Sequence, residues 1–260
     1  MYKARRRFLI AGCALSASAA FAESGAPVLG LIFPPANRRI PEEGLIMYPS
    51  AVRFIGMGLG LETMTPEGYD KVIDRIAPAA EQLAADGAQA ITLMGTSLTF
   101  YKGAAFNERL TETIRDATGL PATTMSTAVI EGLRAVGARR LAVATAYADV
   151  VNARLRAFLA ESGFEVLVLQ GLNIEKVADV DYVTQDSLLE FSAGVRAQAP
   201  EADAMLVSCG GLRTLEIIRP LEERCKLPVV SSTPHALRAG VRLLGLSGQV
   251  PGFGTLLAMA

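Results

Sequence analysis

The sequence has no tryptophan, a single histidine and only three cysteines among 260 residues. Cys13, Cys209 and Cys225 are scattered, with no close-set pair, which excludes the usual zinc clusters and a disulfide-stapled scaffold. Runs of like charge are also missing. Lys+Arg total 25 against 26 Asp+Glu, so nothing suggests a basic surface that grips nucleic-acid phosphates. No G-x-x-x-x-G-K is present, and Gly56-Met57-Gly58-Leu59-Gly60 has the wrong spacing for a dinucleotide loop. No lysine stands in a Schiff-base context. What is abundant is apolar content, 51% of the chain, enough to build a proper core and too much for disorder. The length allows one large domain or two modest lobes. Whatever chemistry the chain performs uses few titratable groups, with no metal and no cofactor implied.

Residues 1–22 read as an export signal. Arg5-Arg6-Arg7 precedes a short apolar stretch that ends at Ala20-Phe21-Ala22, an A-x-A cleavage pattern. Arg5-Arg6-Arg7-Phe8-Leu9 fits the twin-arginine pattern R-R-x-F-L, so the expected location is the bacterial periplasm or beyond. The stretch is short of the ~20 apolar residues a membrane span needs. The run before Cys13 is too brief for a lipoprotein site. Cleavage would lower Lys+Arg from 25 to 21 against 26 acids, a net charge of −5. The mature chain would be soluble, with no stable membrane association, and it would retain only Cys209 and Cys225. Nothing in the sequence bears on oligomeric state.

Apolar strands alternate with helical patterns after residue 27. Val28–Phe33, Ala90–Met94, Leu141–Thr145, Glu165–Leu169, Ala204–Ser208 and Pro228–Ser231 read as strands. Thr65-Pro66-Glu67 opens a helix with an N-cap, a first-turn proline and an acid; its apolar spacing extends to about Ala85. The pattern predicts an α/β fold with parallel sheets. A faint duplication points to two pseudo-symmetric lobes. The segment 89–98 resembles 203–212, and each is followed by a Leu-Pro strand and a Ser/Thr pair, Ser126-Thr127 and Ser232-Thr233. Each lobe would be a mainly parallel sheet flanked by helices. Lobe 1 is expected over 27–127, completed by 228–260, and lobe 2 over 128–227. Gly95-Thr96-Ser97 and Cys209-Gly210-Gly211 fall at strand carboxyl ends, where open α/β sheets bind ligands, and would face each other across a cleft.

Cys209 is placed like a functional thiol, between a strand and two glycines at an expected helix start. Cys225 ends a charged helix and reads as structural. Thr96, Ser97 and Tyr147 offer hydroxyl donors with no base beside them, a set suited to holding an anion such as a carboxylate or enolate. His235 reads as a surface helix residue, with a carboxylate contact as its functional alternative.

These motifs carry a resemblance. Met94-Gly95-Thr96-Ser97-Leu98-Thr99-Phe100-Tyr101, Ser208-Cys209-Gly210-Gly211-Leu212 and Val230-Ser231-Ser232-Thr233-Pro234 resemble the arylmalonate decarboxylases, a family of the aspartate/glutamate racemase superfamily. The likeness runs from Gly30-Leu31-Ile32-Phe33-Pro34-Pro35 through Thr65-Pro66-Glu67-Gly68-Tyr69 and Thr145-Ala146-Tyr147 to the Ser232 region. Racemases of the superfamily carry a cysteine on each lobe; here Gly95 stands at the first position. The resemblance implies cofactor-free decarboxylation of an aryl- or alkenyl-malonate to a chiral monocarboxylic acid. One carboxylate would sit among Thr96, Ser97, Tyr147 and the N–H groups of Cys209 and Gly210. The other would enter an apolar pocket of Pro34, Leu61, Met64, Tyr69, Leu98, Val177 and Val180. Cys209 would protonate the resulting enediolate from one face, with Gly95 inert on the other. Arg38 or Arg39 would stand where small residues are expected, near the cleft. Two alternatives remain open at this point: a racemase or maleate-type isomerase, and a non-catalytic periplasmic carboxylate-binding protein.

Overall fold

The computed structural model describes residues 25–36 and 39–260. The expected export signal, Cys13 and Arg38 lie outside the described residues. The first sheet is built from β1 (Val28–Phe33), β2 (Arg53–Gly58), β3 (Ala90–Leu93) and β4 (Ala122–Thr124), all parallel, in the order β2-β1-β3-β4. With it run α1 (Glu42–Met47), α2 (Pro66–Asp70), α3 (Ile76–Ala85), α4 (Thr96–Phe100) and α5 (Ala104–Thr118). The second sheet contains β5 (Arg140–Tyr147), β6 (Glu165–Ile174), β7 (Ala204–Ser208) and β8 (Val229–Ser231), again parallel, in the order β6-β5-β7-β8. The remaining helices are α6 (Met125–Ala135), α7 (Asp149–Glu161), α8 (Gln185–Ala197), α9 (Leu215–Cys225), α10 (Ser232–Leu243) and α11 (Thr255–Ala258). Each sheet thus repeats one strand order, which makes the duplication structural.

Strands β1, β3 and β7 are buried along their whole length, as unbroken apolar runs must be when helices cover both faces of a parallel sheet. No helix among the described residues is long and apolar enough to cross a membrane.

Three expectations change. The helix expected over 65–85 is broken into α2, a 3-10 turn at Ile73–Arg75, and α3. Pro78 is the reason: it has no N–H for the Asp74 carbonyl and its ring would clash there, yet it is tolerated in the first turn of a new helix. The Gly56-Met57-Gly58 stretch lies in β2, which the sequence reading had not marked as a strand. A Cβ at Gly58 would lie 2.4 Å from the Ala36 carbonyl oxygen, so that glycine permits a close backbone approach. The return to lobe 1 also begins later than residue 228. β8 pairs with β7 and stays in the second sheet, while α10, which follows it, packs against β3 and β4. In the reciprocal exchange, α6 follows β4 but packs against β8. The two exchanged helices pack on each other and join the lobes.

Candidate active site

The ends of β3 and β7 bring the two glycine-containing motifs together. A Cβ on Gly210 would lie 3.5 Å from the Gly95 nitrogen, so the lobes meet backbone to backbone at these residues. Gly95 has φ +99°, a left-handed conformation that favours glycine, and a Cβ there would fall 2.2 Å from Pro34 Cγ. Pro34 therefore roofs Gly95, and its carbonyl accepts the Leu61 N–H at 2.7 Å.

Thr96, Ser97, Tyr147 and Cys209 are all buried. The hydroxyl of Thr96 lies 2.7 Å from Ser232 Oγ and 3.1 Å from the Met125 thioether. Gly95 N–H also points at Met125 Sδ, at 3.4 Å. Ser232 Oγ accepts the Cys209 N–H at 3.2 Å. The expected backbone donor at Cys209 is therefore already engaged. Tyr147, at the end of β5, lies 3.4 Å from Ser208 Oγ and beside the Cys209 thiol.

A pseudo-twofold relation orders these bonds. Met125 receives the N–H of Gly95 as Ser232 receives that of Cys209. Ser126 Oγ donates to the Thr96 carbonyl at 3.1 Å as Thr233 Oγ1 donates to that of Gly210 at 2.9 Å. The pairing expected from sequence, Ser126-Thr127 with Ser232-Thr233, is thus one residue out of step: Met125 matches Ser232. Met125 and Ser232 went unassigned for that reason, because a methionine and a serine share no side-chain chemistry that would align them.

Two backbone bonds join segments that carry residues of the expected apolar wall. Met64 donates its N–H to Glu175 O at 2.7 Å and Val177 donates to Glu62 O at 3.0 Å, bringing the two lobes' wall segments alongside each other. Leu61, Met64, Leu98 and Val180 are buried, Pro34 and Val177 half-buried, and Val180 packs where a Cβ of Gly211 would be. Tyr69 is fully buried against Tyr101, but it is not purely apolar wall. Its hydroxyl has no hydrogen-bond partner, and Ser97 and Cys209 lie near it.

Burial dominates the electrostatics. It pushes the Cys209 thiol up to about 11, against lowering contributions from the Gly211 and Leu212 N–H groups and Tyr147. It also raises Tyr147 and Tyr69 well above ordinary phenols. The site at neutral pH is a set of neutral donors. Cys209 and Cys225 are both free thiols; Cys225 ends α9 half-buried, away from this chemistry. His235 departs from the surface position expected of it. It is buried in α10, with Nδ1 at 2.7 Å from the Ser231 carbonyl oxygen and Nε2 unpartnered, and desolvation lowers its pKa to about 4. Arg39 is exposed. Among the described residues no group of three or more His, Cys, Asp or Glu is placed to hold a metal ion.

Two parallel sheets of like strand order, meeting through strand-end loops with a thiol on one side, define a two-lobed α/β protein. Residues 29–257 match the arylmalonate decarboxylase family. The chain is 47% identical over 235 residues to the arylmalonate decarboxylase of Bordetella bronchiseptica, covering 90% of this chain and 98% of the relative. It is similar to the liganded structure of an arylmalonate decarboxylase variant carrying a glycine-to-cysteine and a cysteine-to-serine exchange. That likeness has TM-score 0.86 and 47% identity, and covers 89% of this chain and 98% of the other. The maleate isomerase of Pseudomonas putida S16 shares the fold at TM-score 0.82 and 22% identity, covering 90% of this chain and 98% of its own. The chain belongs to the arylmalonate decarboxylase family.

Proposed function

We propose that the protein decarboxylates an aryl- or alkenyl-malonate without a cofactor and protonates the product carbon from one face. The observation that carries this reading is the asymmetry of the cleft: Cys209 stands at the end of β7, and Gly95, its pseudo-symmetric counterpart at the end of β3, has no side chain.

One carboxylate of the substrate is held by Thr96, Ser97 and Tyr147, with the N–H of Gly210 alongside. The other is driven against Pro34, Leu61, Met64, Leu98, Val177 and Val180, where an unpaired charge is badly solvated. Cleavage of the C–C bond releases CO₂, and its electron pair passes into the enediolate of the retained carboxylate. The neutral donors then carry more charge than in the ground state, which accelerates the step; each contributes roughly 2.7–4 kcal/mol at oxyanion-hole magnitudes. The Cys209 S–H bond delivers its proton to the α-carbon, and water restores the thiol. A thiol held near pKa 11 is protonated at neutral pH, as a proton donor must be. With no acid or base at Gly95, the opposite face exchanges no proton, which favours this reading over a two-base racemase. A passive carboxylate binder has no use for a buried thiol and would ordinarily present arginine.

Residues 1–22 belong to the same proposal as a twin-arginine export signal, placing the activity in the periplasm. Lobe boundaries near residues 128 and 232 complete it. The test is CO₂ release from phenylmalonate by the purified protein in EDTA. Release unaffected by the chelator is expected; no release from this or related arylmalonates would overturn the substrate class. Recovery of the chain starting near Glu23 from the periplasmic fraction tests the export signal, and a chain retained whole in the cytoplasm contradicts it.

A further inference from the structure

The turn that carries Cys209 is tied at both ends. At its start, Ser232 Oγ holds the Cys209 N–H and Thr233 Oγ1 holds the Gly210 carbonyl. At its end, Thr214 is fixed twice: its hydroxyl lies 3.1 Å from Ser231 Oγ, and its N–H donates to Glu43 Oε1 at 3.3 Å. Glu43 comes from α1, in the other lobe. It is a buried carboxylate that the decarboxylation does not use, on a helix whose neighbouring Glu42 pairs with Arg213 of the same turn at 2.6 Å. Between the two anchors the Leu212 N–H closes the turn on the Cys209 carbonyl at 3.2 Å, and the Gly211 N–H lies beside the Cys209 thiol.

We infer that Glu43 is a positioning residue for the Cys209 proton transfer, reaching across from lobe 1 to fix the turn whose Gly211 N–H receives the thiolate left when the proton departs. The inference rests on Cys209 being the proton donor. Carbon protonation leaves a negative sulfur in a dry site, and the only groups that can answer it without reorganising are donors already aimed at it. The Gly211 N–H and the Tyr147 hydroxyl are such donors, and the direction of the first is set by where Thr214 is held. Burying a carboxylate is costly, since desolvation raises the pKa of Glu43 against the pull of the Thr214 N–H and Arg213. That cost is offset if its hydrogen bond holds the turn in register. The charged groups around it are Glu42 on its own helix and Arg213 on the turn; those weighing on the Cys209 thiol are Tyr69 and Tyr147.

The test compares Glu43→Met, which keeps the length but loses the acceptor, with Glu43→Gln, which loses the same charge but keeps an acceptor oxygen. The readouts are kcat and KM for the arylmalonate, and the pH midpoint of Cys209 alkylation followed site by site by mass spectrometry. In Glu43→Met the midpoint is expected to rise by about one unit above that of Glu43→Gln. The corresponding fall in kcat is about tenfold with KM unchanged. Glu43→Ala serves in the same way if the methionine variant fails to fold. Equal midpoints and equal kcat in the acceptor-lacking and glutamine variants would overturn the inference. A midpoint difference in a protein that releases no CO₂ would keep the thiol-positioning role and remove the substrate reading instead.

Discussion

As the proposed proton donor, Cys209 has to carry its proton at neutral pH, and burial holds it there with a margin beyond that of an ordinary thiol. Its proton is competent below its pKa and lost as pH rises through it. The alkaline limb of kcat/KM is therefore expected near pH 11. An ordinary thiol would place it near about 8.5. A rate profile against pH checks this, and an alkaline limb at the ordinary value would mean that the thiol is better solvated than its surroundings allow. Gly95 is the second residue on which the outcome turns. Gly95→Cys would restore a thiol on the opposite face, so enantiopure 2-arylpropionate should slowly lose optical purity in its presence. The same change forces a side chain to φ +99° and against Pro34, so the thermal midpoint should drop, by on the order of 1–3 kcal/mol of stability. The candidate residues that the structure brings together, Gly95, Thr96, Cys209 and Gly210, were legible in the sequence because they follow apolar strands and are small or hydroxylic. Met125 and the Tyr69 hydroxyl were not, since a thioether that accepts hydrogen bonds and a phenol that makes none look like ordinary core in a sequence.

Elements were legible where one face or both had to be apolar. β1 and β7 coincide with the runs read from sequence, because unbroken burial leaves no polar interruption. β2 was hidden by its glycines and its half-buried edge position. α10 was found, but its most informative residue was misjudged. Helical spacing alone could not tell that His235 points between the lobes, because the surface covering it belongs to the lobe exchange. This burial has a measurable consequence. His235 is held neutral down to about pH 4, whereas in the unfolded chain it takes its proton near about 6.5. Unfolding therefore gains a proton as pH falls through that window, and stability should decline by on the order of 3 kcal/mol between those pH values. Thermal midpoints of the wild type and His235→Gln across this range check it: the variant should show a markedly shallower decline. Parallel curves would mean that the histidine is solvated.

At the scale of the whole molecule, the sequence foretold two lobes, because the duplicated strand-end motifs survive as words: Met-Gly-Thr-Ser and Ser-Cys-Gly-Gly. What it did not foretell is how the lobes are joined. α6 and α10 each leave the sheet that precedes them and pack on the other, and Glu43 reaches across to the turn after Cys209. Such contacts pair residues 171 positions apart and leave no local periodicity. They also explain how a site made from two separate strand ends is held together without a metal cluster among the described residues. The two sheets share one strand order, and where their strand-end motifs meet one lobe carries Gly95 and the other Cys209; the proposed one-faced protonation follows from that difference. The most direct measurement is turnover of prochiral 2-methyl-2-phenylmalonate by wild type and Cys209→Ser, with the product resolved on a chiral column. A single enantiomer from wild type, with turnover reduced by about 10²–10⁴-fold in the serine variant, is the predicted result. Racemic product from the wild type, or undiminished turnover without the thiol, would contradict it.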